Sequence, residues 1–163
     1  MKALQVIKSR IVERDELSFI VNRWGLKGEK IVFTNGCFDI LHQGHVDYLS
    51  KAADLGTKLV VGVNTDDSVR RLGKDKNRPI QDENSRAIII AALHFVDLVI
   101  LFDEDTPLEL IEEVNPQVLV KGSDYKTNEI VGHQIVTKNG GEVRTIDFLE
   151  GFSTTKIVEK ARK

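Results

Sequence analysis

The rhythm of apolar and polar positions changes near residue 29. Before it, Leu17, Ile20, Val21 and Trp24 recur at helical spacing, and Gly25 offers a stop. Residues 1–28 therefore read as an N-terminal helical extension, and residues 29–163 as the main domain. In that domain five short runs are rich in β-branched residues and nearly continuous in apolar character: Lys30–Thr34, Lys58–Val63, Asp97–Leu101, Gln117–Val120 and Glu142–Ile146. Strands covered on both faces have this pattern. Amphipathic stretches separate them. His45–Leu55 carries Val46, Leu49 and Ala53 on one face and ends at Gly56. Asn64-Thr65-Asp66-Asp67 reads as a helix N-cap, and Glu83–Leu93 follows the polar pair Gln81-Asp82. Thr106-Pro107-Leu108-Glu109 combines an N-cap, a first-turn proline and a capping-box glutamate. A helix over Glu129–Lys138 is closed by Asn139-Gly140, and Ser153 or Thr154 caps a last helix, Thr155–Lys160.

Strands alternating with helices predict an α/β fold: a doubly wound, parallel, five-stranded Rossmann-like sheet with helices on both faces. Ligands in that architecture sit beyond the carboxyl ends of the strands. The chain of 163 residues is long enough to bury a sizeable core, and its 41% apolar and 29% charged residues are ordinary for a globular domain. A net charge of −2 argues against a nucleic-acid partner, yet leaves room for a few cations in a pocket for a small phosphorylated ligand. One cysteine, Cys37, excludes an internal disulfide and any multi-cysteine zinc site. No apolar run approaches the roughly 20 residues that span a bilayer, and residues 1–14 lack a signal-peptide core. The expectation is a cytoplasmic protein with no membrane partner.

Four segments after predicted strands hold candidate chemistry. In Thr34–His45 a strand ends, Gly36 allows close backbone approach, and a helix opens near Gly44 with free N–H groups suited to phosphate. His42 and His45 add two donors there that a bound polyphosphate would favour as imidazolium, fit to stabilise charge at a reacting phosphorus. A capping segment with solvated histidines is the plain alternative, and a His-x-x-His metal site lacks a nearby third ligand. Cys37 is a small residue fitting a tight turn, or a nucleophile. Gly151-Phe152-Ser153-Thr154-Thr155-Lys156 gathers hydroxyls and N–H groups at a helix start, as caps and phosphate sites both do. Lys121-Gly122-Ser123-Asp124-Tyr125 offers a glycine for a flat base and Asp124 for a ribose hydroxyl or amide. The basic loop Gly73–Pro79, with Lys74, Lys76 and Arg78, is joined by Arg86 as a source of cations for a phosphorylated acceptor. Both Gly-x-x-x-x-Gly-Lys-Ser/Thr and Gly-x-Gly-x-x-Gly are missing from the sequence, which disfavours a P-loop or nicotinamide enzyme.

Gly36–His45 resembles the His-x-Gly-His signature of the nucleotidyltransferase superfamily, and Gly151–Thr155 resembles its Ser-Thr-Thr signature. Thr34–Asp39, Asp82–Arg86, Phe102–Pro107, Val120–Tyr125 and Asn139–Val143 together resemble the heptose-1-phosphate adenylyltransferases of ADP-heptose synthesis. The likeness runs from about Lys30 to the C-terminus. Phe152 stands where relatives often carry a smaller residue, and Lys156 where they often carry asparagine. The activity is fused behind a sugar kinase in many bacteria. With about 29 residues before the first strand, the resemblance implies a stand-alone transferase fed by a separate kinase and phosphatase.

The resemblance implies that ATP and a heptose 1-phosphate give ADP-heptose and pyrophosphate, on the way to lipopolysaccharide or another surface heptose. It assigns His42 and His45 to the triphosphate and transition state. Gly36, Cys37, Phe38 and Gly44 approach the nucleotide through backbone, Lys121, Gly122 and Asp124 face the adenosine, and Ser153, Thr154 and Thr155 hold phosphates. Asp39, Lys74, Arg78 and Arg86 are expected at the acceptor. Mg²⁺ is expected to come with ATP, bridging phosphate oxygens and waters with few protein ligands. A homodimer or larger homo-oligomer is expected. A glycerol-3-phosphate cytidylyltransferase, another small-molecule nucleotidyltransferase, or a non-catalytic nucleotide-binding module are the alternatives.

Overall fold

The computed structural model describes residues 2–73 and 77–161. Six parallel strands form one sheet: β1 (Ile11–Val12), β2 (Ile31–Gly36), β3 (Lys58–Asn64), β4 (Leu98–Phe102), β5 (Val118–Gly122) and β6 (Glu142–Ile146). Their spatial order is β1-β4-β3-β2-β5-β6. The helices are α1 (Ala3–Lys8), α2 (Arg14–Leu26), α3 (Gln43–Ala53), α4 (Asp66–Arg71), α5 (Glu83–Ala91), α6 (Leu108–Val114), α7 (His133–Lys138) and α8 (Thr154–Ala161).

The alternation of side chains along each strand splits the core in two. Ile31 and Phe33 of β2 join Leu17 and Val21 of α2, Leu110 and Val114 of α6 and Val136 of α7 on one face. Val32 joins Tyr48, Leu49 and Ala52 of α3 and Ala87 and Ile90 of α5 on the other. Helices thus cover both faces, as the continuous apolar runs require. From β2 the chain winds outward through β3 to β4, then returns to pair β5 with the other side of β2 and continues to β6. The direction of winding therefore reverses between β2 and β5, and a crevice opens beyond their carboxyl ends.

The sequence predicts five strands and the structure has six. The addition is β1, whose two residues pair with Val99 and Ile100 of β4; so short a run carries no period. It lies in the segment expected as a helical extension, which also buries Leu17 and Val21 of α2. Gly25 does not stop α2, which runs on to Leu26, and Gly28 takes the left-handed turn at φ +71°. Thr106 does not cap α6: Pro107 stands at the N-cap with no side-chain cap bond. The single helix expected over Glu129–Lys138 is a 3-10 turn, Thr127–Glu129, then α7, with Gly132 at φ +89° between them. By contrast, Thr65 and Asp82 cap α4 and α5 as their side chains allow, accepting from the amides of Ser68 and Ser85.

Candidate active site

The turn from β2 into α3 is the densest part of the crevice. His42 is the N-cap residue of α3, and His45 lies in its first turn. One helical turn brings the rings together: they stack with centroids 3.8 Å apart and planes 18° apart. The Phe38 ring meets His45 edge-on at 5.4 Å. Burial lowers the His42 pKa below the usual imidazole range. It pushes His45 down to about 4, with the charge of its neighbour adding to the effect and a backbone hydrogen bond to Ile40 opposing it. Burial thus disfavours the charged form of both rings in the ligand-free protein. Gly44 is buried, and a Cβ there would stand 3.1 Å from the His42 ring and 3.2 Å from Cβ of Phe152.

That contact joins the two signature segments. Phe152 places the loop before α8 against the start of α3, bringing Ser153, Thr154 and Thr155 to the histidines' side of the crevice. Ser153 Oγ accepts from the Lys156 amide at 3.2 Å, and Thr154 is buried. Arg78 Nη2 donates to Thr155 Oγ1 at 3.4 Å, so the basic loop reaches the same place. Lys74, also expected at the acceptor, lies outside the described residues.

The remaining expected contacts separate into two groups. Lys121 and Gly122 end β5, and Lys121 Nζ donates to Asn35 Oδ1 across the crevice at 2.5 Å. Burial lowers its pKa to about 8, against the pull of Asp124 and Cys37. Asp124 is exposed. Gly122 is overlaid by Phe148, whose Cζ would be 2.1 Å from a Cβ at that position. Phe148 is 56% exposed and its ring lies 6.2 Å from that of Tyr48. The sequence reading missed Phe148; an aromatic in a polar segment just after a strand was its only signal.

The second group turns inward. The Arg86 side chain has no exposure, and its guanidinium donates to Gln81 O at 3.0 Å, Cys37 O at 2.6 Å and Asp66 Oδ1 at 2.8 Å. Glu83 Oε2 accepts from the Asp66 amide at 2.7 Å. Asp39 is buried, and its Oδ1 accepts from the amides of Ile80 and Gln81 at 2.7 and 3.0 Å. Arg86 and Asp39 therefore brace three turns, and Arg86 steadies the carbonyl just before Phe38, a non-glycine residue at φ +48°. Cys37 is half-buried, with Sγ 3.9 Å from Asn64 Oδ1.

A helix N-terminus with two stacked imidazoles and a hydroxyl-rich second helix start meet in a doubly wound α/β domain. Residues 33–160 match the cytidylyltransferase-like family model. The chain belongs to that family and is a nucleotidyltransferase. It is 53% identical over 157 residues to the bifunctional protein HldE of Rhodopseudomonas palustris (strain HaA2), covering 96% of this chain and 32% of that protein. The chain spans about a third of the length of the curated relatives it matches. A solved structure of the lipopolysaccharide core biosynthesis protein from Thermoplasma volcanium GSS1 is 38% identical, with a TM-score of 0.62 over 75% of this chain and 98% of that one. The pantoate-beta-alanine ligase of Francisella tularensis, solved with beta-gamma ATP and beta-alanine, shares the fold at 14% identity, with a TM-score of 0.60 over 93% of this chain and 76% of that one. Among the described residues no helix is long and apolar enough to cross a membrane.

Proposed function

We propose that the chain transfers the adenylyl group of ATP to a heptose 1-phosphate, giving ADP-heptose and pyrophosphate. A phosphate oxygen of the sugar attacks the α-phosphorus, a new oxygen–phosphorus bond forms, and the bond to the bridging oxygen of pyrophosphate breaks in line. The attacking phosphate is already ionised at neutral pH, so no general base is needed. Catalysis is then positioning plus stabilisation of charge.

The observation that carries this reading is the convergence of the His42–His45 stack with the Ser153–Thr155 helix start through Gly44 and Phe152. Two neutral imidazoles in a desolvated site are donors as they stand, and a polyphosphate would raise their pKa values toward the charged form. His42, His45, Ser153, Thr154 and Thr155 hold the triphosphate; Gly36, Cys37, Phe38 and Gly44 present backbone to it; Lys121, Gly122 and Asp124 meet the nucleoside; Arg78 and Lys74 meet the acceptor phosphate. Arg86, committed to protein acceptors, serves by holding the turns.

Among the described residues no group of three or more His, Cys, Asp or Glu is built to hold a metal. Mg²⁺ would arrive on ATP and would offset phosphate charge there. The names of the HldE relatives and of the lipopolysaccharide core neighbour support the sugar-phosphate acceptor. A cytoplasmic homo-oligomer is proposed with them. The test is pyrophosphate release with Mg²⁺, crossing ATP and CTP against heptose 1-phosphate and glycerol 3-phosphate. Release with ATP and heptose 1-phosphate alone is expected. Release with CTP and glycerol 3-phosphate would replace both substrates, and ATP binding without release from any pair would leave only a binding module.

A further inference from the structure

The sheet has two edges, and they are unequal. β1 offers two residues, whereas β6 runs for five, in unbroken register with β5 from Val118 opposite Glu142 to Gly122 opposite Ile146. Along a parallel strand the backbone groups of alternate residues turn to opposite sides. Glu142 and Ile146 turn theirs toward β5: the Glu142 amide donates to Gln117 O at 2.9 Å, and Ile146 O accepts from the Ser123 amide at 3.0 Å. Val143 and Thr145 therefore turn theirs outward, and among the described residues nothing meets those amides and carbonyls. The side chains alternate too. Val143 packs against the core face that holds α7, and Ile146 against the face that holds α3, so Glu142 and Arg144 share the α3 face. Arg144 and Thr145 are exposed. Arg144 Nη2 lies 2.8 Å from Glu142 Oε2, and Lys30 Nζ lies 3.4 Å from Glu142 Oε1. An open edge of this kind is a template for a further strand.

We propose that β6 pairs antiparallel with β6 of a second copy of this chain, about a two-fold axis at Val143, so that the two sheets join. The charge pattern selects this occupant. With Val143 opposite the partner's Val143, Glu142 faces the partner's Arg144, and Arg144 faces the partner's Glu142. Opposite charges at facing positions stabilise a strand pair, and like charges oppose it. The side chains of Glu142 and Arg144 are 40% and 59% exposed, so each can leave its own strand for the partner's without entering the core. An axis one residue further on would set Arg144 against the partner's Arg144, so charge fixes the register as well as the partner. The backbone agrees. The outward amide of Val143 donates to the carbonyl of the partner's Val143, and the same bond runs back. Thr145 and Ile146 face the partner's Gly141 and the partner's Gly140, which bring no side chain to the seam. A peptide of unrelated sequence would gain the main-chain bonds and miss the charge match. The paired strands run in opposite directions, so the two crevices open at opposite ends of the joined sheet. This face serves the proposed homo-oligomer whichever substrates the crevice takes.

Sedimentation velocity of the full chain over a concentration series should show a reversible step from monomer to dimer. Glu142→Arg or Arg144→Glu alone sets like charges at both facing positions, and each should weaken the dimer by about 10-fold or more. Mixing the two variants makes every facing pair opposite again. The mixture should therefore associate within about 3-fold of the unaltered chain, although neither variant pairs well with itself. Hydrogen exchange of the unaltered chain needs no variant to fold. The amides of Val143 and Thr145 should slow by about 10-fold or more as the dimer fills, while exposed amides far from β6 keep their rates. A chain that stays monomeric up to its solubility limit overturns the proposal. So does a dimer that both single reversals leave intact, or one that mixing fails to restore. A dimer in which Val143 and Thr145 exchange as fast as in the monomer places the contact on another face, with the same consequence.

Discussion

The two flanks of the crevice are built differently. On the β3–β4 side, charged and polar residues after the strands are spent on the protein itself: Arg86 ties Cys37, Asp66 and Gln81, Asn64 donates to Ser68, and Thr65 bonds Asp103. On the β5–β6 side, Asp124, Tyr125, Phe148 and Phe152 stand exposed, and the tie across to β2 is the Lys121–Asn35 bond. The first flank is a brace, and the second is the surface proposed to receive the nucleotide. The stacked histidines sit at the join, positioned by the braced flank and facing the open one. The same residue types after a strand therefore serve opposite ends, decided by whether a neighbouring turn offers acceptors at the right distance.

Substitutions on the braced flank should register first in stability. Arg86→Gln leaves Asp66 and two carbonyls without their fork, and we expect a loss of about 3–5 kcal/mol, read by urea unfolding. An unchanged midpoint would mean that the brace is ornamental. His45→Ala at the join should lower kcat by about 10²-fold or more, with the far-ultraviolet circular dichroism spectrum preserved. Near-normal turnover from the folded variant removes the role given to His45.

The open flank should respond in binding instead. Gly122→Ala pushes a Cβ to within 2.1 Å of Phe148. The exposed ring must shift, so we expect the KM for ATP to change several-fold with little loss of stability. Asp124→Ala should weaken ATP binding with a smaller effect on kcat. A large drop in melting temperature for Asp124→Ala would erase the distinction between the flanks.

The smallest effect is protonic. His45 is held down at about 4 in the free protein. Its unfolded form takes up a proton near pH 6.5, so this residue lowers stability as the pH falls from about 6.5 to about 4, and adds nothing further below that. A bound triphosphate favours the imidazolium, so ATP binding near pH 6 should draw protons from solution. Calorimetry in buffers of different ionisation enthalpy should show that uptake, and His45→Ala should reduce it.

The strands were legible because Val, Ile and Leu run continuously where both faces are covered; Glu142–Ile146 matches its predicted bounds residue for residue. The two signature segments were legible because helix starts need caps and glycines at fixed offsets, as Gly44 between the histidines shows. What lay beyond the pattern was tertiary. Two residues of β1 have no period, and Arg86 reads as a free cation until the Cys37 and Gln81 carbonyls are placed beside it. Phe148 becomes a neighbour of Gly122 only when β5 and β6 pair.

The chain is held to supply position and charge but no nucleophile of its own, and direct displacement has a stereochemical signature. The transfer should be run with ATP carrying sulfur at the α-phosphorus in one known configuration, and the configuration of the nucleotide-sugar product determined. A single in-line attack by the sugar phosphate inverts that phosphorus, and inversion is the expected result. Retention would mean two displacements through a covalent nucleotidyl-enzyme, with Cys37 or one of the histidines as the attacking group, and would contradict direct transfer.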